Sequence, residues 1–542
     1  MTTRTFRVGC SSRRERGLRP SCSVTYCAGA NERSNEEVRQ PCKSAIKRKI
    51  PTVMFSQHPD NAGKPYWHTN AFIKTQDELL ECYLMFKEFG DQEVMWDWEG
   101  KFVDEAVVER LLGEHLEFFR KHPLGKDTFL TFRVPNPRVE SGYRLGRAFM
   151  VILSAGDLAR KAGFKNPPLF EVILPMTESA AEIIELQKNY RRFSKAADFS
   201  FGQKRSSFKP LEVIPLFETV DTIMKSGKIL KQYIARYKGE FGDTPPYLRP
   251  FCARSDPALN SGIVPTVLAV KWALSEYAKF TSETGIKTYP IIAPGALPFR
   301  GGFNPETVLE FVKEFKGVRT VMVQSAFRYD YPLGAVKKAI KSLIREVPRG
   351  KTEPLPEATR FEIEKIIPWF ENPYRETVKV VAPLIEKISA SVPPRRERMQ
   401  HIGLFGYSRG IGNIRLPRAI GFTAACYSLG IPPELFGAGR GLARAKKEGK
   451  LKTLEALYKT LKPSLIRSGR YLRKESLKEF GLVGLEKDVA LIEEYLGEKL
   501  GPKTESEREH EKLVACIVSS LRAGKSSSEE VEQAATIRRS LG

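Results

Sequence analysis

Short apolar runs of strand character recur along this chain at nearly even intervals, and that recurrence limits its fold more than any other feature. The runs begin near Glu93 (EVMWDW), Phe129 (FLTFRV), Phe170 (FEVILP), Leu211 (LEVIPLF), Leu248 (LRPFCAR), Tyr289 (YPIIA), Arg319 (RTVMVQ) and His401 (HIGLFGYS), at spacings of 36, 41, 41, 37, 41, 30 and 82 residues. Between them lie segments of helical period, such as Thr177 to Arg192 and Pro305 to Phe315. Eight strands alternating with helices predict a (β/α)8 barrel of the TIM type. The one long gap, Tyr331 to Gln400, holds additional helices and a PPRRER linker at Pro393, and beyond Pro417 the pattern is all-α. The expected divisions are a basic, disordered tail over 1–49, a barrel carrying the site over 50–416, and a helical region over 417–542.

The formal net charge is +24. Residues 1–50 hold twelve Lys and Arg against four Glu, or +8, which leaves +16 for the rest. Spread over a body of this size, that surplus fits an arginine-lined anion site. No RNA-binding aromatic signature or zinc-finger spacing accompanies it, so no nucleic-acid partner is expected. No run of about 18 uncharged apolar residues predicts a membrane span. Eight cysteines include no C-x-x-C pair, and those of the body, such as Cys252 and Cys426, sit in apolar runs. Reduced, buried thiols and a cytoplasmic protein are expected.

In such a barrel, chemistry gathers where strands end. The run LEVIPLFETVD ends abruptly on Glu218, and the other ends carry Asp97, Glu99, Arg133, Glu178, Arg254, Asp256, Arg300, Arg328 and Arg409. The result is a ring of acids and arginines with almost no histidine. Two hard carboxylates, Glu218 and Asp256, suit Mg²⁺ or Mn²⁺, which keeps waters and completes its shell from substrate. The arginines suit an anion bearing phosphate and carboxylate, which a guanidinium fork grips bidentately. Residue types alone stop at an acid-and-arginine site.

Several motifs name a family. SQHPDNA (Ser56–Ala62), MWDWEGKFVDEAVV (Met95–Val108), TFRVPNP (Thr131–Pro137), VIPLFET, ARSDPALNSG (Ala253–Gly262), LPFRGGFNPE, VQSAFRYDYP and GYSRGIGNIRLPRAIGFTAACYSLGIPPELFG (Gly406–Gly437) together resemble archaeal-type phosphoenolpyruvate carboxylase from about Ile50 onward. The resemblance implies biotin-free, metal-dependent carboxylation of phosphoenolpyruvate by bicarbonate to oxaloacetate and phosphate, replenishing four-carbon acids, in a homotetramer. Glu218 and Asp256 match the metal carboxylates. His58 resembles the histidine of the larger enzymes' THPTE-like motif, with a role at the carboxyphosphate step. Arg300 resembles the arginine of their HGRGG loop, and Gly301 and Gly302 beside it are substrate-binding candidates that let backbone approach an anion closely, although Pro298 stands where the histidine would be. Arg328, Arg409 and Arg418 resemble the phosphate and bicarbonate arginines, and Arg133 and Arg254 are further candidates for substrate binding. A lyase or aldolase barrel handling the same acids is the alternative on residue types.

Overall fold

Eight short parallel strands, hydrogen-bonded in chain order, close on themselves. They are β1 (Val53–Phe55), β2 (Glu93–Asp97), β3 (Phe129–Arg133), β4 (Glu171–Leu174), β5 (Glu212–Phe217), β6 (Phe251–Ala253), β7 (Ile291–Ala293) and β8 (Thr320–Val323). The computed structural model describes residues 48–90, 92–140, 143–202, 210–398, 410–411 and 414–542. Closure comes from β1 against β8, with Val53 opposite Val321, Met54 opposite Met322 and Phe55 opposite Val323. The fold is therefore the predicted (β/α)8 barrel, with one exchange among its strands. The first strand is the three-residue VMF at Val53, and the Arg319 run supplies the eighth. The His401 run lies outside the described residues, and the barrel is complete without it.

Side chains alternate across the sheet, as a strand's period of two requires. Met54, Met95, Ile173, Ile214, Leu216, Phe251, Ile291 and Met322 fill the barrel interior. Their neighbours, among them Val53, Trp96, Val172 and Val213, face the helical shell and join the larger core. At the N-terminal end the interior is charged. The buried Arg249 guanidinium donates to both oxygens of Glu93, at 3.0 and 2.5 Å, and to Glu171 at 2.7 Å.

The expected extra helices include a 33-residue helix, Glu357–Ser389, which carries Pro368, Pro373 and Pro383 within it. From Ala419 to Ile537 the regular elements are helical, as expected. The Gly-rich stretch after Phe436 is helix packing, not a phosphate loop: a Cβ on Gly439 would meet the Asp488 backbone at 2.1 Å, and one on Gly441 the Phe370 ring at 2.3 Å. The final residues return to the barrel mouth, where the Leu541 N–H donates to the Asp60 carbonyl at 2.8 Å. Residues 46–542 form one compact unit. Among the described residues no helix is long and apolar enough to cross a membrane.

Candidate active site

The C-terminal ends of the strands open into a cavity of about 490 Å³. His58, Arg133, Glu218, Arg254, Asp256, Arg300 and Arg418 all line it. These come from the ends of β1, β3, β5, β6 and β7 and from the segment before the Ala419–Ser428 helix, so residues more than 350 positions apart converge because the barrel brings its strand ends together.

Glu218 follows the last residue of β5. Its Oε2 accepts the Met176 backbone N–H at 2.8 Å, and Met176 holds a φ of +51° without being glycine. A left-handed Met costs about 1–3 kcal/mol, and here that conformation turns its N–H toward the carboxylate. Asp256 stands in the first turn of the Ser255–Ser261 helix. Among the described residues no group of three or more His, Cys, Asp or Glu side chains is arranged as a metal cage. Two carboxylates lining the same cavity fit the donor chemistry of a hard cation that takes its remaining ligands from water and substrate.

The arginines divide by their partners. Arg133 is saturated by acid: Nε and Nη2 donate to Asp97 at 2.8 and 2.6 Å, and Nη1 meets Glu99 at 2.6 Å. Burial opposes charging both Arg133 and Asp97, yet their mutual attraction raises the guanidinium and holds the carboxyl well below its usual range. Arg300, 1% exposed, donates to Ser255 Oγ at 3.1 Å, Asp60 Oδ2 at 3.0 Å, the Gly542 carbonyl at 2.5 Å and Gln324 Oε1. Arg254, equally buried, has Tyr458 as its hydrogen-bonding side chain among the described residues, and burial lowers its pKa. Its acidic neighbour Glu434 is itself pushed up to about 7 by burial, which weakens the compensation. Arg254, Arg418 and Arg398 each keep a buried N–H group without an acceptor among the described residues. Such donors are rare in folded proteins unless something else meets them, and here the same cavity can hold an anion.

His58 places Nδ1 3.0 Å from Ser56 Oγ. Burial first, then Arg133, Arg300 and Arg418, drives its pKa well below the ordinary value of 6.5. The imidazole is therefore neutral at pH 7, as a proton acceptor must be. An acid limb in the pH profile of kcat/KM due to His58 is expected clearly below pH 6.5. A limb at 6.5 or above that disappears in His58→Asn would overturn that protonation state.

Three sequence candidates are not brought into this cavity. Arg328 is buried outside its lining, donating to the Ser56 and Val323 carbonyls at 2.9 and 3.0 Å and to Glu81 at 3.0 Å. It braces the end of β1 against the end of β8 and is not among the residues lining the cavity. Gly301 and Gly302 do not line the cavity either. A Cβ on Gly301, whose φ is +129°, would strike Pro294 at 2.7 Å and approach Arg254 Cγ at 3.3 Å. The glycine makes room for the arginine instead of meeting an anion itself. Arg409 lies outside the described residues.

Four residues escaped the sequence reading. Asp60, Ser255 and Gln324 fix the Arg300 guanidinium. Arg398 belongs to the PPRRER stretch, which forms a rim of the cavity instead of a linker. Burial, then Arg418, lowers its pKa to about 9.

The sequence profile of the phosphoenolpyruvate carboxylase family matches residues 50–542. The chain is 40% identical over 450 residues to phosphoenolpyruvate carboxylase of Pyrococcus horikoshii, covering 81% of this chain and 92% of that one. It belongs to the archaeal-type phosphoenolpyruvate carboxylase family. Phosphoenolpyruvate carboxylase of Metallosphaera sedula is 37% identical over 524 residues, 91% of this chain and 100% of that one. That of Oenococcus oeni is 37% identical over 484 residues, 87% of this chain and 95% of that one. Among solved structures, the carboxyl transferase domain of Rhizobium etli pyruvate carboxylase covers 90% of this chain and 78% of its own at 11% identity and a TM-score of 0.29. The barrel assignment rests on the strand pairing and not on that distant likeness. As a phosphoenolpyruvate carboxylase, the chain acts on a phosphorylated carboxylic acid.

Proposed function

We propose that the chain carboxylates phosphoenolpyruvate with bicarbonate, giving oxaloacetate and phosphate, without biotin and with Mg²⁺ or Mn²⁺ at Glu218 and Asp256. The observation that carries this reading is the pairing in one cavity of two hard carboxylates with Arg254, Arg398 and Arg418, guanidinium groups with buried N–H donors that have no acceptor among the described residues. When bound, the divalent cation supplies Lewis-acid stabilisation of negative charge on the enolate and phosphate oxygens.

The chain's own residues account for the rest. A bicarbonate oxygen attacks phosphorus and the bond to the enol oxygen breaks, leaving the enolate of pyruvate and carboxyphosphate. The C–O bond of carboxyphosphate then breaks, releasing carbon dioxide and phosphate, and carbon 3 of the enolate attacks the carbon dioxide. Arg254, Arg398 and Arg418 hold the phosphoryl and carboxyl oxygens. Arg300, fixed by four acceptors, stays aimed as charge moves from one oxygen to another. Neutral His58 carries the bicarbonate proton to the departing phosphate. Closely packed apolar residues, among them Leu216, Phe251 and Leu541, keep water from the carbon dioxide and the enolate.

The test uses ¹⁴C-bicarbonate with phosphoenolpyruvate and Mg²⁺. Label is expected in a four-carbon acid trapped by reduction to malate, with one phosphate released per label fixed and no effect of avidin. Phosphate release without label in a four-carbon acid would remove the carboxylase reading in favour of a lyase or phosphatase. The family resemblance also supports a cytoplasmic homotetramer, which sedimentation velocity tests directly.

A further inference from the structure

A second cavity, of about 360 Å³, lies behind the loop that carries Arg300. Four arginines line it: Arg467, Arg470, Arg538 and Arg539. Three have carboxylate partners. Arg467 pairs with both oxygens of Glu310 at 2.6 and 3.0 Å. Arg539 meets Glu306 at 2.8 Å, and Arg470 reaches Glu507 only at 3.5 Å.

Arg538 is different. It is 5% exposed and makes no ion pair with an Asp or Glu of the described residues. Its Nη1 lies 3.3 Å from His510 Nε2, and Nη2 donates to the Leu541 carbonyl at 2.8 Å. Nε has no partner among the described residues, and the guanidinium stands 5.8 Å from the Tyr427 ring centre. His510 gives no negative charge; burial and then Arg538 hold it neutral. Burial also pushes Arg538 down to about 10. A guanidinium buried without a counter-charge is costly, and the cost is relieved when an anion is supplied from outside.

We propose that this cavity binds a small phosphate-bearing anion, at a site distinct from the catalytic cavity and coupled to it through the Arg300 loop. Guanidinium groups approach from two separated segments, Arg467–Arg470 and Arg538–Arg539, and suit an anion whose oxygens point in several directions, as those of phosphate do. Tyr331 and Tyr471 also line the space and leave room for an organic group beyond the phosphate.

The coupling follows from shared backbone. Pro298 and Gly302 line the second cavity, whereas Arg300 between them lines the first. Leu541 lines the catalytic cavity and accepts from Arg538. Its N–H donates to the Asp60 carbonyl, and the Asp60 carboxylate holds Arg300. An anion that draws on Arg538 therefore acts on the segment that frames Arg300. By reciprocity, whatever fills the catalytic cavity alters the affinity of the second.

The experiment measures binding and does not depend on the reaction proposed above. The probe is inorganic phosphate, in equilibrium dialysis of the full chain with ³³P-phosphate. Two saturable equivalents per chain are expected for the wild type. One is expected for Arg470→Gln/Arg539→Gln, whose side chains are partly exposed and outside the catalytic cavity, and for Arg254→Gln, which loses the catalytic equivalent instead. If the double variant fails to fold, Arg539→Gln alone is expected to weaken the second equivalent several-fold. A single equivalent in the wild type, two undiminished equivalents in the surface variants, or loss of both in Arg254→Gln would each overturn the proposal.

Discussion

Glu218→Gln and Asp256→Asn are each expected to lower kcat by at least roughly 10²–10³-fold, the usual consequence of removing one charge-stabilising element from a transition state. Both changes keep shape and remove charge. In Glu218→Gln the amide oxygen can still accept the Met176 N–H that now holds Oε2 at 2.8 Å, so the strained turn at Met176 survives and the fold is expected to persist. Asp256 contributes a favourable charge to Arg300, so Asp256→Asn also loosens the electrostatic hold on that guanidinium. A second readout separates these effects. Titration with Mn²⁺, followed by electron paramagnetic resonance, is expected to show one tight site in the wild type and at least tenfold weaker binding in either variant, with unchanged circular dichroism. Full carboxylation by either variant, or unaltered Mn²⁺ binding in both, would remove these carboxylates from the metal assignment.

The barrel was legible because buried parallel strands carry dense β-branched and aromatic runs and because each βα unit has a similar length. What escaped was β1. Only three residues, VMF, pair there, behind a proline and next to a basic tail, and so short a run has no period to detect. The His401 run, HIGLFGYS, filled the vacant count because its composition satisfies the same rule. Distinguishing the two requires knowing which run lies against β8, and that is tertiary information.

The site divided in the same way. Carboxylates and arginines that directly follow a strand, Glu218, Arg254 and Asp256 among them, were visible because strand ends face the mouth of a barrel. Arg328 also follows a strand, yet it sits in a short helical turn, Ser325–Tyr329, and is spent on Glu81 instead of lining the cavity. Gly301 and Gly302 read as an anion cradle, but the space they leave is taken first by Pro294, then by Arg254 and the Pro298 turn. Arg398 was hidden because a PPRRER stretch reads as a solvated linker. Only the folded chain shows Arg396 pinned by Glu78 and Glu81, which brings Arg398 to the cavity edge. Charge density in sequence does not say whether charges face water or a buried space.

The largest expected loss of stability comes from the opposite end of the barrel. Arg249→Met is expected to cost roughly 3–5 kcal/mol, the range found when one partner of a buried ion pair is removed. The guanidinium stands between Glu93 and Glu171, each essentially inaccessible to water, and without it two carboxyl groups face each other in an apolar barrel. Glu171 already shows the tension. Burial raises its pKa; Arg249 lowers it; Glu212 and Glu93 raise it again, and it settles at about 7. One positive charge thus serves two carboxylates, and a proton on Glu171 serves as the second. Because the folded state holds that proton more tightly than the unfolded chain, the stabilisation is complete below about pH 4.5 and is lost as pH rises toward about 7. Urea midpoints measured between pH 5 and 8 are therefore expected to fall with pH in the wild type and to fall less steeply in Glu171→Gln, where the buried acids Glu434 and Asp330, also raised to about 7, keep their own share of the decline. In Arg249→Met the decline should extend to higher pH, since the one influence that lowered the carboxyl is gone. A wild-type midpoint that rises over this interval would contradict a shared proton, and an Arg249→Met barrel as stable as the wild type at pH 8 would show that the two acids relax apart.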